Sequence, residues 1–275
     1  MGSMSATAKL IEVFSAIQGE GANVGTRQIF IRFAGCDLRC SFCDSAQTWT
    51  IPQTCRIERT PGERDFEVRA NPVEIEDLLA WVDGQNRPRL HDSISITGGE
   101  PLLHAPFLAE FLPQVRQRTG LPIYLETAGH RPQQLAAILP DLDMVGMDIK
   151  LPSVSGETWW EEHERFIELC CNSPVEVFVK LIVSDRTVPA ELEKTAQLVA
   201  SASNKIPVFL QPVTPLSPEL RQKNQDLRTI EPKVPIQASQ EAPSPEKVLA
   251  WQTFMKRWLD NVRVVPQTHK MLGQL

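Results

Sequence analysis

Three cysteines lie close enough together in the sequence to share one metal centre. Cys36, Cys40 and Cys43 have the spacing C-x3-C-x2-C and follow the β-branched and aromatic run 28–33, so they lie on a loop that leaves a strand. A structural zinc site usually takes four protein ligands, and a catalytic zinc held by three cysteines is unusual. Three thiolates can instead hold a [4Fe–4S] cluster whose fourth iron stays open for chemistry. The alternatives are a disulfide with a spare thiol and a zinc site completed by Cys55.

A second chemical signal is the sequence Gly98-Gly99-Glu100-Pro101, which follows a short apolar strand at residues 93–97. Glycine lets bare backbone face a ligand, and Glu100 offers a carboxylate to a cation. Such a turn is a weak signal by itself. Downstream of three clustered cysteines, it favours a ligand site over a purely structural turn.

Together the two motifs resemble those of radical S-adenosylmethionine (SAM) enzymes. In that superfamily the open iron chelates the amino and carboxylate groups of SAM. The aromatic residue before the third cysteine lies near the adenine, and Gly-Gly-Glu-Pro binds the amino group. The resemblance implies that Cys36, Cys40 and Cys43 hold the cluster. It also implies SAM contacts from Phe42, Cys43, Asp44, Gly99 and Glu100.

A longer pattern resembles one family within that superfamily, the 7-carboxy-7-deazaguanine synthases. The pattern consists of Ile17-Gln18-Gly19-Glu20-Gly21, Gly25, the run 30–36 and the ending Gln267-Thr268-His269-Lys270. On this resemblance Arg32 pairs with a substrate carboxylate, which suits the forked guanidinium. The implied substrate contacts are Ile17, Gln18, Gly19, Glu20, Arg32, Thr97, His269 and Leu275.

Ser45 is a position where the chain departs from that family. The residue after Cys-Asp is typically a threonine whose hydroxyl binds Mg²⁺. Serine supplies the same oxygen with a less restrained rotamer. The resemblance therefore implies a Mg²⁺ site at Ser45, and the alternative is that Ser45 only caps a turn.

The reaction that the resemblance implies is the radical ring contraction of 6-carboxy-5,6,7,8-tetrahydropterin to 7-carboxy-7-deazaguanine. Ammonia is lost, and the product lies on the route to queuosine and related deazapurines. The implied cofactors are a [4Fe–4S] cluster, SAM and Mg²⁺, and the implied partners are a flavodoxin-like electron donor and a second copy in a homodimer. The runner-up is an activating enzyme of a glycyl-radical enzyme, which shares the cysteine spacing. A zinc-binding interaction module is the remote alternative.

The elements that must position these residues alternate along the chain. Apolar strands at 123–127, 144–149, 175–183 and 208–211 are separated by helical stretches near 105–118, 132–139, 157–171 and 190–202. Such repeats predict right-handed parallel βα units whose ligand groups gather at the carboxyl ends of the strands. With the strands before the two motifs, they predict an α/β fold, an open and modified partial (β/α)6 barrel of the TIM type. The resemblance assigns further SAM contacts to the strand ends Asp148-Ile149-Lys150 and Gln211-Pro212-Val213-Thr214.

Three other segments carry predictions of local structure. Residues 46–70 are polar with scattered prolines and predict a surface excursion. Asn71 followed by proline predicts the capped start of a helix that runs to residue 82. Residues 212–245 predict a proline-rich loop with a helical turn at 224–227, and Ser244 predicts the cap of a helix that ends near residue 259.

The whole chain has the composition of an ordinary globular protein. Its 275 residues, 42% hydrophobic and 23% charged, suffice for one domain with a sizeable core. A net charge of −6 with dispersed basic residues argues against a nucleic-acid partner, and no apolar run is long enough for a membrane span. Six cysteines without a disulfide framework indicate a reducing cytoplasm, with Cys170 and Cys171 as inert core thiols. Residues 1–4 have no signal-peptide features and are expected to be an expression remnant before a native Met4.

Overall fold

The computed structural model describes residues 6–227 and 240–273. The strands are β1 (Thr7–Ala8), β2 (Leu10–Ile17), β3 (Arg27–Phe33), β4 (Thr54–Glu58), β5 (Phe66–Ala70), β6 (Val73–Glu74), β7 (Ser93–Gly98), β8 (Ile123–Thr127), β9 (Met144–Asp148), β10 (Glu176–Val183), β11 (Val208–Pro212) and β12 (Val262–Val264). The helices are α1 (Ile75–Gln85), α2 (Ala105–Thr119), α3 (Pro132–Ile138), α4 (Pro152–Ser155), α5 (Trp160–Cys171), α6 (Pro189–Ala202), α7 (Pro218–Asp226), α8 (Pro245–Met255) and α9 (Thr268–Met271).

Ten of these strands form one sheet in the order β12-β11-β10-β9-β8-β7-β3-β2-β4-β5. All neighbours from β12 through β3 are parallel, whereas β2 is antiparallel to β3 and β5 is antiparallel to β4. The edge strands β12 and β5 stand at opposite ends of the sheet, so the barrel is open. The predicted open α/β barrel is confirmed, and β12 extends its parallel part.

The hydrophobic core lies between the sheet and the helices that cover its outer face. On β7, Ile94 and Ile96 are fully buried, and they pair in parallel with the equally buried Ile123 and Leu125 of β8. Each such side chain contributes about 1.5–3 kcal/mol when it leaves water. Ser95 and Thr97, which alternate with them on β7, are polar and face the barrel interior. The alternation therefore fixes which side chains can reach a ligand inside the barrel.

Residues 46–70 do not form the predicted surface excursion. They include the hairpin of β4 and β5, and β4 extends the sheet by pairing in parallel with β2. Cys55 and Ile57 on β4 face the core and are each 3% exposed. The alternation of apolar and polar residues at 54–58 was the strand signal that the charged surroundings obscured.

The predicted helix cap at Asn71 is wrong. Asn71 Nδ2 donates to Leu10 O at 2.9 Å, and its Oδ1 accepts from Leu10 N at 3.0 Å. The next residues pair with β1 as the short strand β6. Helix α1 begins only at Ile75, because the side chain that could have capped it fixes β2 instead.

The segment 212–245 contains more helix than predicted. Ser217 caps α7 by accepting from Leu220 N at 3.3 Å. Ser244 caps α8 as predicted. Cys170 is buried, but Cys171 is exposed, so the prediction of a core thiol is wrong for Cys171.

No helix in the described ranges is both long and apolar enough to cross a membrane. The predictions for residues 1–4 and for Leu275 fall outside the described residues.

Candidate functional site

A cavity of about 470 Å³ opens at the carboxyl ends of the parallel strands. The predicted residues that line it are Ile17, Gln18, Gly19, Glu20, Arg32, Cys36, Cys40, Phe42, Cys43, Asp44, Ser45, Thr97, Gly99, Asp148, Lys150, Gln211, Val213, Thr214 and His269. Glu100, Ile149 and Pro212 do not line it. The structure thus brings together most of the residues that the sequence assigned to the two ligands.

The three clustered cysteines lie in the wall of this cavity. Burial raises the pKa of Cys40 to about 11 and that of Cys43 to about 12, and it also raises the pKa of Cys36. The three thiols are therefore neutral at physiological pH unless a cation compensates them. A bound metal centre would supply that compensation and hold them as thiolates.

The cluster loop, residues 34–45, is fixed by hydrogen bonds from distant parts of the chain. Ser41 Oγ donates to Val154 O at 2.6 Å, and Gln240 Nε2 donates to Ser41 Oγ at 2.6 Å. Asn224 Nδ2 on α7 donates to Cys43 O at 2.7 Å. Asn224 and Gln240 therefore both contact the loop that carries the cysteines.

Gly98 and Gly99 bring the end of β7 directly against the cluster loop. Gly98 has a φ of +147°, and a Cβ on Gly99 would lie 2.2 Å from Gly35 O and 2.8 Å from Cys36 Cβ. Glycine is thus required here by close packing of two backbone segments. The sequence had suggested only that bare backbone faces a ligand.

Gly99→Ala is expected to lower the free energy of unfolding by about 1–3 kcal/mol, because the added methyl group pushes the cluster loop aside. The same displacement should reduce the iron retained after anaerobic reconstitution. Urea unfolding and iron analysis measure the two effects. Gly84→Ala is the control, since nothing lies within 4 Å of a Cβ at that position of α1. Alanine there should stabilise the helix by about 0.5–1 kcal/mol. Wild-type stability of Gly99→Ala would contradict the packing account.

Glu100 is fully buried, and its carboxylate oxygens accept hydrogen bonds from other groups of the protein. It accepts from Thr127 Oγ1 at 2.8 Å, from Ala128 N at 2.9 Å and from Leu102 N at 3.0 Å. Burial raises the pKa of Glu100. The side chain joins the end of β7 to the end of β8, and its predicted contact with SAM stays a prediction.

Two lysines and two carboxylates form an ionic network in the cavity wall. Lys180 Nζ contacts Glu20 Oε2 and lies 3.2 Å from Asp148 Oδ1, while Lys150 Nζ donates to Asp148 Oδ2 at 2.9 Å. Burial alone would raise the pKa of both acids, but the ammonium groups outweigh it and both pKa values lie below their usual range. Burial opposes the charge of Lys180 and Lys150 too, yet the carboxylates raise the pKa of each. All four groups are therefore ionised at neutral pH.

The C-terminal segment packs against the turn that follows β2. Gln267 Nε2 donates to Glu20 Oε1 at 2.7 Å and to Asp44 Oδ2 at 3.0 Å. A Cβ on Gly19 would lie 2.3 Å from His269 Nδ1, so only glycine permits this approach. Burial lowers the pKa of His269, which favours its neutral form. Two halves of the family pattern that are far apart in the sequence meet here.

Ser45 lies beside Asp44, where Mg²⁺ was predicted. Ser45 Oγ donates to Asp44 Oδ1 at 3.4 Å, and Lys270 Nζ lies 2.7 Å from Asp44 Oδ2. Among residues 6–227 and 240–273, no three His, Cys, Asp or Glu side chains converge as ligands of one metal ion. The assignment of Mg²⁺ to Ser45 stays a prediction.

Arg32 reaches the cavity from β3 and pairs with a buried acid. Its Nε donates to Glu12 Oε1 at 2.8 Å, and Arg56 Nε on β4 donates to Glu12 Oε2 at 2.7 Å. Two guanidinium groups share one carboxylate, so this wall carries a net positive charge. Such a wall suits a substrate carboxylate.

Lys180 and Asn224 lie at the site although no motif of the sequence marks them. Lys180 interrupts the buried run Val-Phe-Val-Lys-Leu-Ile-Val of β10, and a charged residue within such a strand is a signal for a polar partner. Asn224 carries no comparable signal, because its partner Cys43 is 181 positions away.

Comparison with known proteins identifies relatives of the chain. Residues 30–199 match the Radical SAM superfamily. The chain is 41% identical over 271 residues to the 7-carboxy-7-deazaguanine synthase of Geobacter sulfurreducens, and the match covers 98% of each protein. It is 29% identical over 272 residues to the 7-carboxy-7-deazaguanine synthase of Methanocaldococcus jannaschii, covering 96% of this chain and 99% of that protein. The crystal structure of QueE from Escherichia coli has the same fold, with a TM-score of 0.54 at 20% identity over 95% of this chain and 94% of that one.

Proposed function

The chain belongs to the radical SAM superfamily and, within it, to the family of the 7-carboxy-7-deazaguanine synthases, and we propose that it catalyses the reaction for which that family is named. The substrate is 6-carboxy-5,6,7,8-tetrahydropterin, and the products are 7-carboxy-7-deazaguanine and ammonia. The observation that carries the proposal is that three thiols, the turn after β2 and His269 line one cavity.

The residues around the cavity fit a [4Fe–4S] cluster and SAM. Each thiolate of such a cluster binds a different iron, so its ligands stand farther apart than those of a single ion. Gln211 Oε1 is buried and has no hydrogen-bond partner within the described part of the chain. A buried polar atom without a partner is rare in a complete site. A ligand that donates to it, as a ribose hydroxyl of SAM would, completes it.

A [4Fe–4S] cluster held by Cys36, Cys40 and Cys43, together with SAM, would supply the radical chemistry that removes a hydrogen atom from C6 of the substrate. The chain itself binds and orients the pterin. Arg32 pairs with the 6-carboxylate, and Glu20 accepts hydrogen bonds from the pterin ring edge. The backbone of Ile17 and Gly19 and the side chain of Gln18 supply further contacts. Neutral His269, which lies against Gly19, and Thr97 on β7 complete these contacts.

Anaerobic incubation of the cluster-loaded protein with the carboxytetrahydropterin, SAM and a reductant tests the proposal. We expect 7-carboxy-7-deazaguanine and ammonia, detected by mass spectrometry and an ammonia assay. A protein that cleaves SAM but leaves the pterin unchanged would contradict the substrate and favour activation of a glycyl-radical enzyme. Zinc without acid-labile sulfide in the anaerobically purified protein would favour an interaction module.

Ser45→Ala is expected to abolish the stimulation of turnover by Mg²⁺, whereas Ser45→Thr should retain it. Mg²⁺ binds through one or two protein oxygens together with substrate and water, so loss of the hydroxyl removes one of few ligands. SAM affinity and iron content should not change, because other residues hold SAM and the cluster. Titrations of activity with Mg²⁺ measure the effect. An unchanged response of Ser45→Ala to Mg²⁺ would show that the cation binds elsewhere or is unnecessary.

The remaining parts of the proposal concern organisation and partners. The whole chain is a single radical SAM domain that works in the cytoplasm as a homodimer and receives electrons from a flavodoxin-like protein. Chain length supports the single domain, and six cysteines without a disulfide framework support the cytoplasm. The family resemblance supports the homodimer and the electron donor. Sedimentation analysis tests the dimer, and turnover with a purified flavodoxin in place of a chemical reductant tests the donor.

A further inference from the structure

Lys180 is a cavity residue whose contacts join the substrate side of the site to the SAM side. It lies on β10, and its side chain is 13% exposed. Its ammonium contacts Glu20, in the turn after β2, and Asp148, at the end of β9. One cation is therefore shared by two carboxylates that come from separate elements of the barrel.

The two carboxylates depend on Lys180 to different degrees. Glu20 is 15% exposed and has Lys180 as its cationic partner, with the neutral amide of Gln267 on its other oxygen. Asp148 is 19% exposed and also pairs with Lys150. Removal of Lys180 would leave Glu20 partly buried without a compensating charge, whereas Asp148 would keep one.

The contacts also fix the orientation of the Glu20 carboxylate. Lys180 holds Oε2 and Gln267 holds Oε1, so the plane of the group is held at both ends. Each carboxylate oxygen has a second lone pair, so both can still accept from a ligand. A fixed carboxylate with two free acceptor positions matches adjacent N–H donors, such as those of an aminopyrimidinone ring.

We propose that Lys180 is a positioning residue that holds Glu20 charged and aligned for the pterin ring and, at the same time, holds Asp148 for SAM. The Glu20 half of this inference rests on the proposed function. The Asp148 half rests on the SAM contact that the family resemblance implies for Asp148.

Equilibrium binding tests the inference without turnover. Anaerobic, cluster-loaded protein is titrated with the carboxytetrahydropterin or with SAM in the absence of a reductant. Lys180→Met should weaken pterin binding by about tenfold or more. It should weaken SAM binding by only about threefold, since Asp148 keeps its ion pair with Lys150. Lys180→Arg should stay within about threefold of wild type for both ligands, because it keeps a cation beside the two carboxylates. Lys194→Met is the matched control, since Lys194 lies on α6 over the Trp160 ring and should leave both affinities unchanged.

A double variant separates positioning from general support of the fold. If Lys180 acts on the pterin through Glu20, then Lys180→Met should cost less than about twofold in pterin affinity once Glu20→Gln is present. The threefold loss for SAM should persist in the double variant. Because the double variant removes both members of the ion pair, it tests the inference even if Lys180→Met alone fails to fold.

Two results would overturn the inference. One is wild-type affinity of Lys180→Met for both ligands, and the other is a pterin loss in the double variant equal to the product of the two single losses. Failure of the proposed function gives a different pattern, in which the wild-type protein binds SAM but not the pterin. The SAM titration of Lys180→Met then decides the inference, and an unchanged affinity refutes it.

Discussion

Replacement of Cys36, Cys40 or Cys43 by alanine is expected to abolish both the iron–sulfur cluster and the activity, whereas Cys55→Ala should retain both. The three residues of the cluster loop line one cavity, and each would bind a different iron. Loss of any one leaves two thiolates, which are too few to hold the cluster. Iron and acid-labile sulfide per chain after anaerobic reconstitution measure the outcome.

Cys55 is the matched control for this prediction because it is a buried thiol outside the cluster loop. It lies on β4, is 3% exposed and packs in the main core rather than in the cavity wall. Its removal should cost stability alone, about 1 kcal/mol. Equal loss of iron from Cys55→Ala and Cys40→Ala would contradict the three-cysteine centre and revive a site completed by Cys55.

Arg32→Ala is expected to weaken binding of the carboxytetrahydropterin by about 2–5 kcal/mol, because the carboxylate of the substrate is then buried without a partner. Arg32 already donates to Glu12, which also pairs with Arg56. When Arg32 is removed, Glu12 therefore keeps Arg56 as its cationic partner. The expected loss therefore comes mainly from the substrate rather than from the protein. Anaerobic titration of the cluster-loaded variant measures it.

Arg56→Ala and a substrate analogue without the carboxylate complete this test. Arg56 pairs with the same acid and lines the same cavity, so its removal should reproduce any effect that acts through Glu12. The analogue should bind to wild type and Arg32→Ala with equal affinity. If Arg32→Ala binds the natural substrate as tightly as wild type does, Arg32 only supports the strand.

The parallel part of the barrel could be predicted because its signals are local. Each apolar strand and the helix after it are marked by periodicity and turn residues, and the bounds predicted for β8 match the structure. The predictions that failed concern residues whose structure depends on tertiary partners. Asn71 has the residue type and the following proline of a helix cap, but its side chain is hydrogen-bonded to Leu10, 61 positions earlier.

The same distinction applies to the site. Motif residues such as Cys36 and Gly99 are recognisable because they are contiguous and have a characteristic spacing. Lys180 contacts Glu20 across 160 positions, so local pattern does not reveal it. Gln267 belongs to the recognisable ending, but its contact with the same acid across 247 positions needed the structure. The structure was also needed to show why glycine is required at position 99, since its close neighbours lie on the cluster loop that follows β3.

Turnover of substrate deuterated at C6 tests the central claim most directly. The cluster-loaded protein is incubated anaerobically with this substrate, a reductant and less SAM than substrate. We expect 7-carboxy-7-deazaguanine in excess of the SAM supplied, with deuterium recovered in SAM, because the resemblance to the 7-carboxy-7-deazaguanine synthases implies that SAM is re-formed in each cycle. Formation of no deazaguanine, or of SAM and 5′-deoxyadenosine without deuterium, would contradict the account.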